Sequence, residues 1–202
     1  MFTGIITDVG RIGAVDAERG GKRFYVATSF DVASIDLGAS IAHNGCCLTV
    51  VEKGSGWYAV DVSAETMART TLGDWQEDTR LNLERSLKLG DELGGHLVYG
   101  HVDCVALVSD KYADGDSWRL AFDIPGRFGR FVASKGSVAL DGVSLTVNEV
   151  DDTGEMTRFG VNIIPHTFAV TTFGDLSPGH RVNFEADMLA RYVARLTETG
   201  AT

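Results

Sequence analysis

Ser40-Ile-Ala-His-Asn-Gly-Cys-Cys-Leu-Thr-Val50 and Ser137-Val-Ala-Leu-Asp-Gly-Val-Ser-Leu-Thr-Val147 read onto one another without a gap, with six of eleven positions identical. Asn44 stands against Asp141, and Cys47 against Ser144. A second block, Thr66 to Glu84, reads onto Thr167 to Glu185 with nine of nineteen positions identical. The first block is offset by 97 residues and the second by 101, so four extra residues enter between them. Asp151-Asp-Thr-Gly154, just before Thr157, is the place for them, as a longer hairpin turn. The start of the repeat is fainter: Gly4 stands against Gly100 and Val9 against Val105. A unit this long is no solenoid repeat; it is the length of a whole small domain.

Within each copy the signals are those of strands. Phe24 to Thr28, Leu48 to Val51 and Trp57 to Val62 are rich in β-branched and aromatic residues, bounded by Gly, Asp and Asn. Twenty-four of 202 residues are glycine, against three prolines. That excess over an average usage of about 7% predicts many tight turns, hence many short strands. Short strands joined by short turns predict a closed antiparallel barrel, which has no free sheet edge. Two helical turns interrupt the strands. Ser63 is placed to cap the first, and Pro165 to open the second. At the end, Asp187 can cap Met188 to Thr197, where Leu189, Val193 and Leu196 share one helical face. That stripe packs either on its own chain or on other copies. The expected division is 1–95 for the first barrel, 96–186 for the second and 187–202 for a C-terminal helix, with the join near Glu92 to His96.

Charge excludes several functions. Eighteen basic and 28 acidic residues give a net charge of −10, and each half carries nine basic and fourteen acidic residues. With no basic run, nucleic acid and anionic membranes are poor partners. No apolar run approaches the roughly 20 residues that span a bilayer. Met1-Phe-Thr-Gly4 does not open like a signal peptide, and three cysteines, two of them adjacent, do not make a disulfide framework. A reducing cytoplasm is the expected location.

Met1-Phe-Thr-Gly-Ile-Ile6, Ser40 to Val50, Gly94-Gly-His-Leu-Val-Tyr-Gly-His101, Lys135 to Val147 and Ile164-Pro-His-Thr167 resemble the motifs of the α-type riboflavin synthase family. The likeness runs from residue 1 to about 195. It implies an all-β fold of two tandem six-stranded antiparallel Greek-key barrels plus a C-terminal helix, in a homotrimer whose active sites lie between adjacent subunits. It also implies the reaction: two 6,7-dimethyl-8-ribityllumazines give riboflavin and 5-amino-6-ribitylamino-uracil by transfer of a four-carbon unit. No cofactor is implied, and the sequence has no glycine-rich phosphate loop, Cys-x-x-Cys or His-Glu-x-x-His. Association with lumazine synthase is a further expectation.

Carried over motif by motif, the first pocket would be walled by Gly4, Ile5, Ile6, Cys47, Leu48, Thr49, Asp61, Val62, Ser63, Ala64, Glu65 and Thr66. The second would be walled by Gly100, His101, Val102, Ser144, Leu145, Thr146, Ile164, Pro165, His166, Thr167, Phe168 and Ala169, with Lys135 reaching across from the adjacent subunit. Main-chain groups flanking Leu48 and Leu145 can read the uracil-like edge of the ring. Thr49 and Thr146 share a strand face with Cys47 and Ser144, because a strand alternates with period two.

Cys47, His101 and Ser144 are the catalytic candidates. On its residue type alone Cys47 is a small buried hydrophobe. Its repeat partner is a serine, however, and the resemblance places a ligand contact there. Cys46 and Cys104 read as core. His101 can move protons near neutral pH. His96, five residues earlier, is expected to face the other way, and His43 and His180 to lie at the surface or in turns. Asn44 and Asp141 precede glycines, so a turn role explains both. One rival is a lumazine- or flavin-binding antenna protein without turnover, whose second repeat would have lost its ligand residues. Another is a flavin reductase, which would need a nicotinamide domain that two equal repeats leave no room for.

Overall fold

The computed structural model describes residues 1–18 and 20–199. The first barrel contains β1 Asp8–Glu18, β2 Gly21–Ala27, β3 Ser40–His43, β4 Cys46–Gly54, β5 Trp57–Ser63 and β6 Arg80–Arg85. The second contains β7 Cys104–Asp114, β8 Ser117–Pro125, β9 Ser137–Leu140, β10 Val143–Asp152, β11 Met156–Ile163 and β12 Arg181–Ala186. Both are closed, and both run in the same cyclic order, β1-β2-β5-β4-β3-β6 and β7-β8-β11-β10-β9-β12. All pairings are antiparallel. Short helices α1 Ala64–Arg69 and α2 Pro165–Val170 follow β5 and β11, and α3 Met188–Thr199 closes the described chain. Residues 200–202 of the expected C-terminal segment lie outside the described residues. No described helix is long and apolar enough to cross a membrane.

Each barrel encloses its own core. Phe24, Tyr58 and Leu81 fill the first, and Phe122, Phe159 and Phe184 the second, all fully buried. Cys46 and Cys104 belong to these cores, where burial pushes both thiols up to about 12. His43 departs from expectation. It is fully buried, with Nδ1 3.0 Å from the Ile41 carbonyl and Nε2 2.8 Å from the Tyr58 hydroxyl. Burial lowers its pKa to about 4. The reason is positional: His43 ends β3 where buried Leu140 ends β9, so the side chain points inward and needs Tyr58 to satisfy it. His180 is exposed, as expected.

The turns follow the residues that make them. Asn44 and Gly45 have φ of 42° and 76°, and Asp141 and Gly142 have 43° and 79°. Positive φ at both central residues is the I′ hairpin turn that Asn-Gly and Asp-Gly favour. The four extra residues fall in the β10–β11 hairpin, since Val50 pairs with Val60 but Val147 with Val161. Ser63 accepts the Thr66 amide to cap α1, Pro165 opens α2, and Asp187 accepts the Leu189 amide at 2.9 Å to start α3.

The two I′ turns meet back to back on a pseudo-twofold axis. A Cβ on Gly45 would lie 2.7 Å from the Gly142 nitrogen, and one on Gly142 2.8 Å from the Gly45 nitrogen. Around them Asn82 donates to the Asp141 carbonyl at 3.0 Å and accepts the Thr172 amide at 2.8 Å. Asn183 donates to the Asn44 carbonyl and accepts the Thr71 amide, each at 2.8 Å. The Asn44 and Asp141 side chains accept the Asn82 and Asn183 amides of their own barrels. Their role is thus structural, as the turn reading held. Arg80 pairs with Asp175, and Arg181 with Asp74, across the same seam.

Candidate functional site

Each barrel has one place where neighbouring strands part. Pairing between β4 and β5 starts at Val50 with Val60, and pairing between β10 and β11 at Val147 with Val161. Before those residues the only strands paired with β4 and β10 are β3 and β9. Antiparallel alternation turns the main-chain groups of Cys47 and Thr49, and of Ser144 and Thr146, toward the open side. Leu48 and Leu145 point into the cores, while Cys47 and Ser144 are half-buried and Thr49 and Thr146 exposed. Two slots result, each with a short polar side chain and a threonine hydroxyl beside a strand edge that no neighbouring strand covers.

The segments that close these slots cross between the barrels. The Cys47 amide donates to the Gly100 carbonyl at 2.9 Å, and the Ser144 amide to the Gly4 carbonyl at 2.8 Å. Val102 packs against the first core and Ile6 against the second. The expected grouping is therefore corrected. Gly100, His101 and Val102 belong with Cys47, Leu48 and Thr49, whereas Gly4, Ile5 and Ile6 belong with Ser144, Leu145 and Thr146. The contact is tight enough to demand glycine. At Gly4 and Gly100, with φ of 76° and 77°, a Cβ would lie 2.5 Å from the Ser144 and Cys47 Cβ atoms respectively.

Buried carboxylates hold the crossing segments. Glu84 accepts the Thr3 and Gly4 amides at 2.7 and 2.9 Å and the Thr3 hydroxyl at 2.6 Å. Glu185 accepts the Tyr99 and His101 amides at 2.7 and 2.8 Å. Burial raises both carboxyl pKa values, and these hydrogen bonds oppose the rise. The repeat match of Glu84 with Glu185 was visible in the sequence, but nothing local tied them to Thr3 or Tyr99.

The turns into α1 and α2 follow β5 and β11, past the points where those strands leave β4 and β10. Asp61 is clamped by Arg23 at 2.7 and 3.0 Å, which holds its carboxyl below the usual range. The Val62 side chain fills the first barrel core. Ser63, Ala64 and Glu65 are exposed, and Glu65 pairs with Arg69 along the helix. Ser63 and Thr66 bond one another at 3.1 Å. At the turn into α2 Ile164, Pro165, His166 and Ala169 are exposed and Thr167 is half-buried. Phe168 stacks on Trp118 at 5.0 Å between ring centroids. His101 is exposed, its ring 6.0 Å from that of Tyr99. Lys135 is exposed, and its amide donates to the Val147 carbonyl at 2.8 Å.

His96 is the residue that sequence reasoning missed. Its Nδ1 lies 2.7 Å from the Ser144 Oγ. Strand alternation sets it opposite His101 and points to no contact with Ser144, and residues 96 and 97 form no strand. Among the described residues no three His, Cys, Asp or Glu side chains gather as a metal site.

The lumazine binding domain family matches this chain twice, over residues 3–86 and 99–187. Over 203 aligned residues it is 48% identical to the riboflavin synthase of Brucella abortus (strain 2308), covering 98% of both chains.

The chain belongs to the riboflavin synthase family.

Other members of that family extend the comparison. The Photobacterium phosphoreum riboflavin synthase is 42% identical, over 97% of this chain and 88% of its own. That of Escherichia coli (strain K12) is 36% identical, over 98% and 92%. A crystal structure of LumP complexed with riboflavin superposes with a TM-score of 0.81 at 24% identity, over 92% of this chain and 99% of that one. LumP complexed with 6,7-dimethyl-8-(1'-D-ribityl) lumazine gives 0.79 at 23%. At that identity the likeness establishes the fold alone, two closed six-stranded barrels in tandem.

Proposed function

We propose that this chain is a riboflavin synthase, converting two 6,7-dimethyl-8-ribityllumazines into riboflavin and 5-amino-6-ribitylamino-uracil. The observation that carries this is the 48% identity to the Brucella abortus enzyme over nearly the whole of both chains. Both slots keep their ligand-facing residues, Cys47-Leu-Thr49 and Ser144-Leu-Thr146. A binding-only relative would need just one.

A reaction between two copies of one molecule needs two similar pockets brought face to face. Each barrel supplies one slot, as the duplication requires. Holding two reactants aligned contributes roughly 7–11 kcal/mol, an effective molarity of about 10⁵–10⁸ M. Proton transfer by side chains adds about 10²–10⁴-fold. Main-chain groups of Cys47 and Thr49, and of Ser144 and Thr146, read the pyrimidine edge. Asp61, Ser63 and Glu65 hold ribityl hydroxyls at the first slot, and residues 164–169 do so at the second. Cys47, His101 and Ser144 are the side chains closest to the reacting rings in this reading.

The working unit is a homotrimer in the cytoplasm, with the first barrel of one subunit facing the second barrel of its neighbour. Units 1–95, 96–186 and 187–202 supply the two slots and the contact. The apolar stripe of α3 supports this: Leu189, Tyr192, Val193 and Leu196 are 61–70% exposed in the single chain. Lys135 supports it too. Its φ is +67°, and its amide bonds the Val147 carbonyl at 2.8 Å, where the first repeat places Gly38 at φ +87°. A long cationic side chain is kept where backbone geometry favours glycine, which fits a group that reaches out to a neighbouring subunit's ligand. Association with lumazine synthase, which makes the substrate, belongs to the same reading.

The test is incubation of chelator-treated protein with 6,7-dimethyl-8-ribityllumazine alone, following riboflavin absorbance. Riboflavin at half the substrate consumed is expected. Tight binding of the lumazine with no riboflavin above the uncatalysed rate would make this a binding protein.

A further inference from the structure

The two slots are related by the repeat, yet they are not equal. The Cys47 thiol of the first slot is half-buried, outside any disulfide, and packs against the apolar cluster of Phe2, Ala42, Val98 and Ala139. The Ser144 hydroxyl of the second lies 2.7 Å from His96 Nδ1. His96 comes from the connection between the barrels, and that connection passes over Ser144. Its backbone is pinned there. The His96 amide donates to the Thr3 carbonyl at 3.1 Å, and Thr3 is itself held by Glu84. At Gly95 a Cβ would lie 2.1 Å from the Thr3 carbonyl oxygen and 2.8 Å from Ser144 Oγ. Only glycine permits the approach that sets His96 beside Ser144.

We propose that His96 is a positioning residue that orients the Ser144 hydroxyl, so that two identical lumazines meet chemically unlike pockets. The proposal rests on reading Ser144 as a ligand-site residue. Burial holds the His96 imidazole below its usual range, with the Asp187 carboxylate partly opposing this, so the ring is neutral at pH 7. A neutral imidazole has one acceptor nitrogen. With Nδ1 accepting, the Ser144 hydrogen turns toward the ring and its lone pairs turn toward the slot. The second lumazine then meets a fixed oxygen acceptor. The first meets the half-buried Cys47 thiol instead. Such a difference lets otherwise equal molecules take different parts in one reaction.

A double-mutant cycle tests this. His96→Ala is expected to lower kcat by about tenfold or more while KM changes by less than about threefold, the pattern of lost positioning. Ser144→Ala with His96→Ala is expected to be no slower than Ser144→Ala alone, because His96 acts through that hydroxyl. His96→Asn, which can set Oδ1 where Nδ1 was, recovers most of the rate, and His96→Gln does not. Nitrogen NMR of labelled histidine reads the contact without turnover: the His96 Nδ1 signal is that of an acceptor and moves in Ser144→Ala. Effects that multiply across the cycle, equal loss in every His96 variant, or a His96 signal indifferent to Ser144→Ala would overturn the proposal. If the wild-type protein makes no riboflavin, the proposed function fails while the NMR result still decides whether His96 holds Ser144.

Discussion

The Ser144 amide donates to the Gly4 carbonyl at 2.8 Å, although the two residues begin one barrel's repeat and line the other barrel's slot. The Cys47 and Gly100 pair repeats the arrangement at 2.9 Å. Each slot is therefore built from both halves of the chain, and neither half carries a complete one.

Gly100 and Gly56 share a φ of +77°, but a Cβ on Gly56 meets nothing within 4 Å while one on Gly100 meets Cys47 at 2.5 Å. Gly56→Ala should cost about 1 kcal/mol, the penalty for positive φ alone. Gly100→Ala should cost about 2–4 kcal/mol, because overpacking is added. It should also weaken lumazine binding, which Gly56→Ala leaves unchanged. Urea unfolding and fluorescence titration of the two variants measure both differences.

The Asn82 side chain serves two partners across the seam, the Asp141 carbonyl and the Thr172 amide, while its backbone amide donates to Asn44 of its own barrel. Asn82→Leu leaves a buried carbonyl and a buried N–H unpaired. Each orphaned group costs about 1–3 kcal/mol, so a loss of about 2–5 kcal/mol is expected. Asn183→Leu should match it, since the seam is pseudo-symmetric. A change below about 1 kcal/mol in denaturant unfolding would mean that water replaces the lost partners.

Asp141 is buried, and desolvation raises its pKa to about 7, while Asn44 fills the same place in the first repeat. The folded protein then holds a proton that the unfolded chain releases above its ordinary carboxylate pKa. Stability from this group is full below about pH 4 and is lost as pH rises through about 7. His43 has the opposite sign: its lowered pKa, about 4, makes stability fall as pH drops below about 6.5. The difference between wild type and Asp141→Asn isolates the aspartate. The variant's advantage should grow between about pH 4 and 7 to a few kcal/mol, then level off. A flat difference in melting temperature across that window would contradict it.

Lys135 sits in a left-handed conformation that glycine adopts freely. Lys135→Gly is expected to keep the melting temperature or raise stability by up to about 1 kcal/mol, while riboflavin formation falls. Calorimetry and turnover on one preparation separate the two effects. Loss of both stability and activity would mean that Lys135 serves its own barrel.

Leu196 is 70% exposed on the α3 stripe. Leu196→Asp should release monomers in analytical ultracentrifugation, with barrel circular dichroism unchanged and activity lost in proportion to dissociation. An intact trimer with this variant would place the subunit contact elsewhere.

Much of the fold was legible because its causes are local. Asn44-Gly45 and Asp141-Gly142 demand I′ turns, the β-branched runs demand strands, and two matching blocks demand two barrels of one topology. The extra hairpin residues could be placed from an offset alone. Cys46 was readable as core from strand alternation. His43 was misread because a histidine beside a turn residue looks exposed. Its repeat partner Leu140 held the contrary signal.

The sequence by itself determined two like barrels and their turns. Only the tertiary structure decided which segment closes which slot. A Gly4 carbonyl can accept a Cys47 amide or a Ser144 amide with the same local energy, because the repeat makes the two sites equivalent. The choice falls to the seam, where Gly45 and Gly142 touch and bring each lead-in segment within reach of the opposite barrel. The His96 contact with Ser144 has the same origin. It joins residues 48 positions apart, through a connection that forms no strand and carries no periodicity to read.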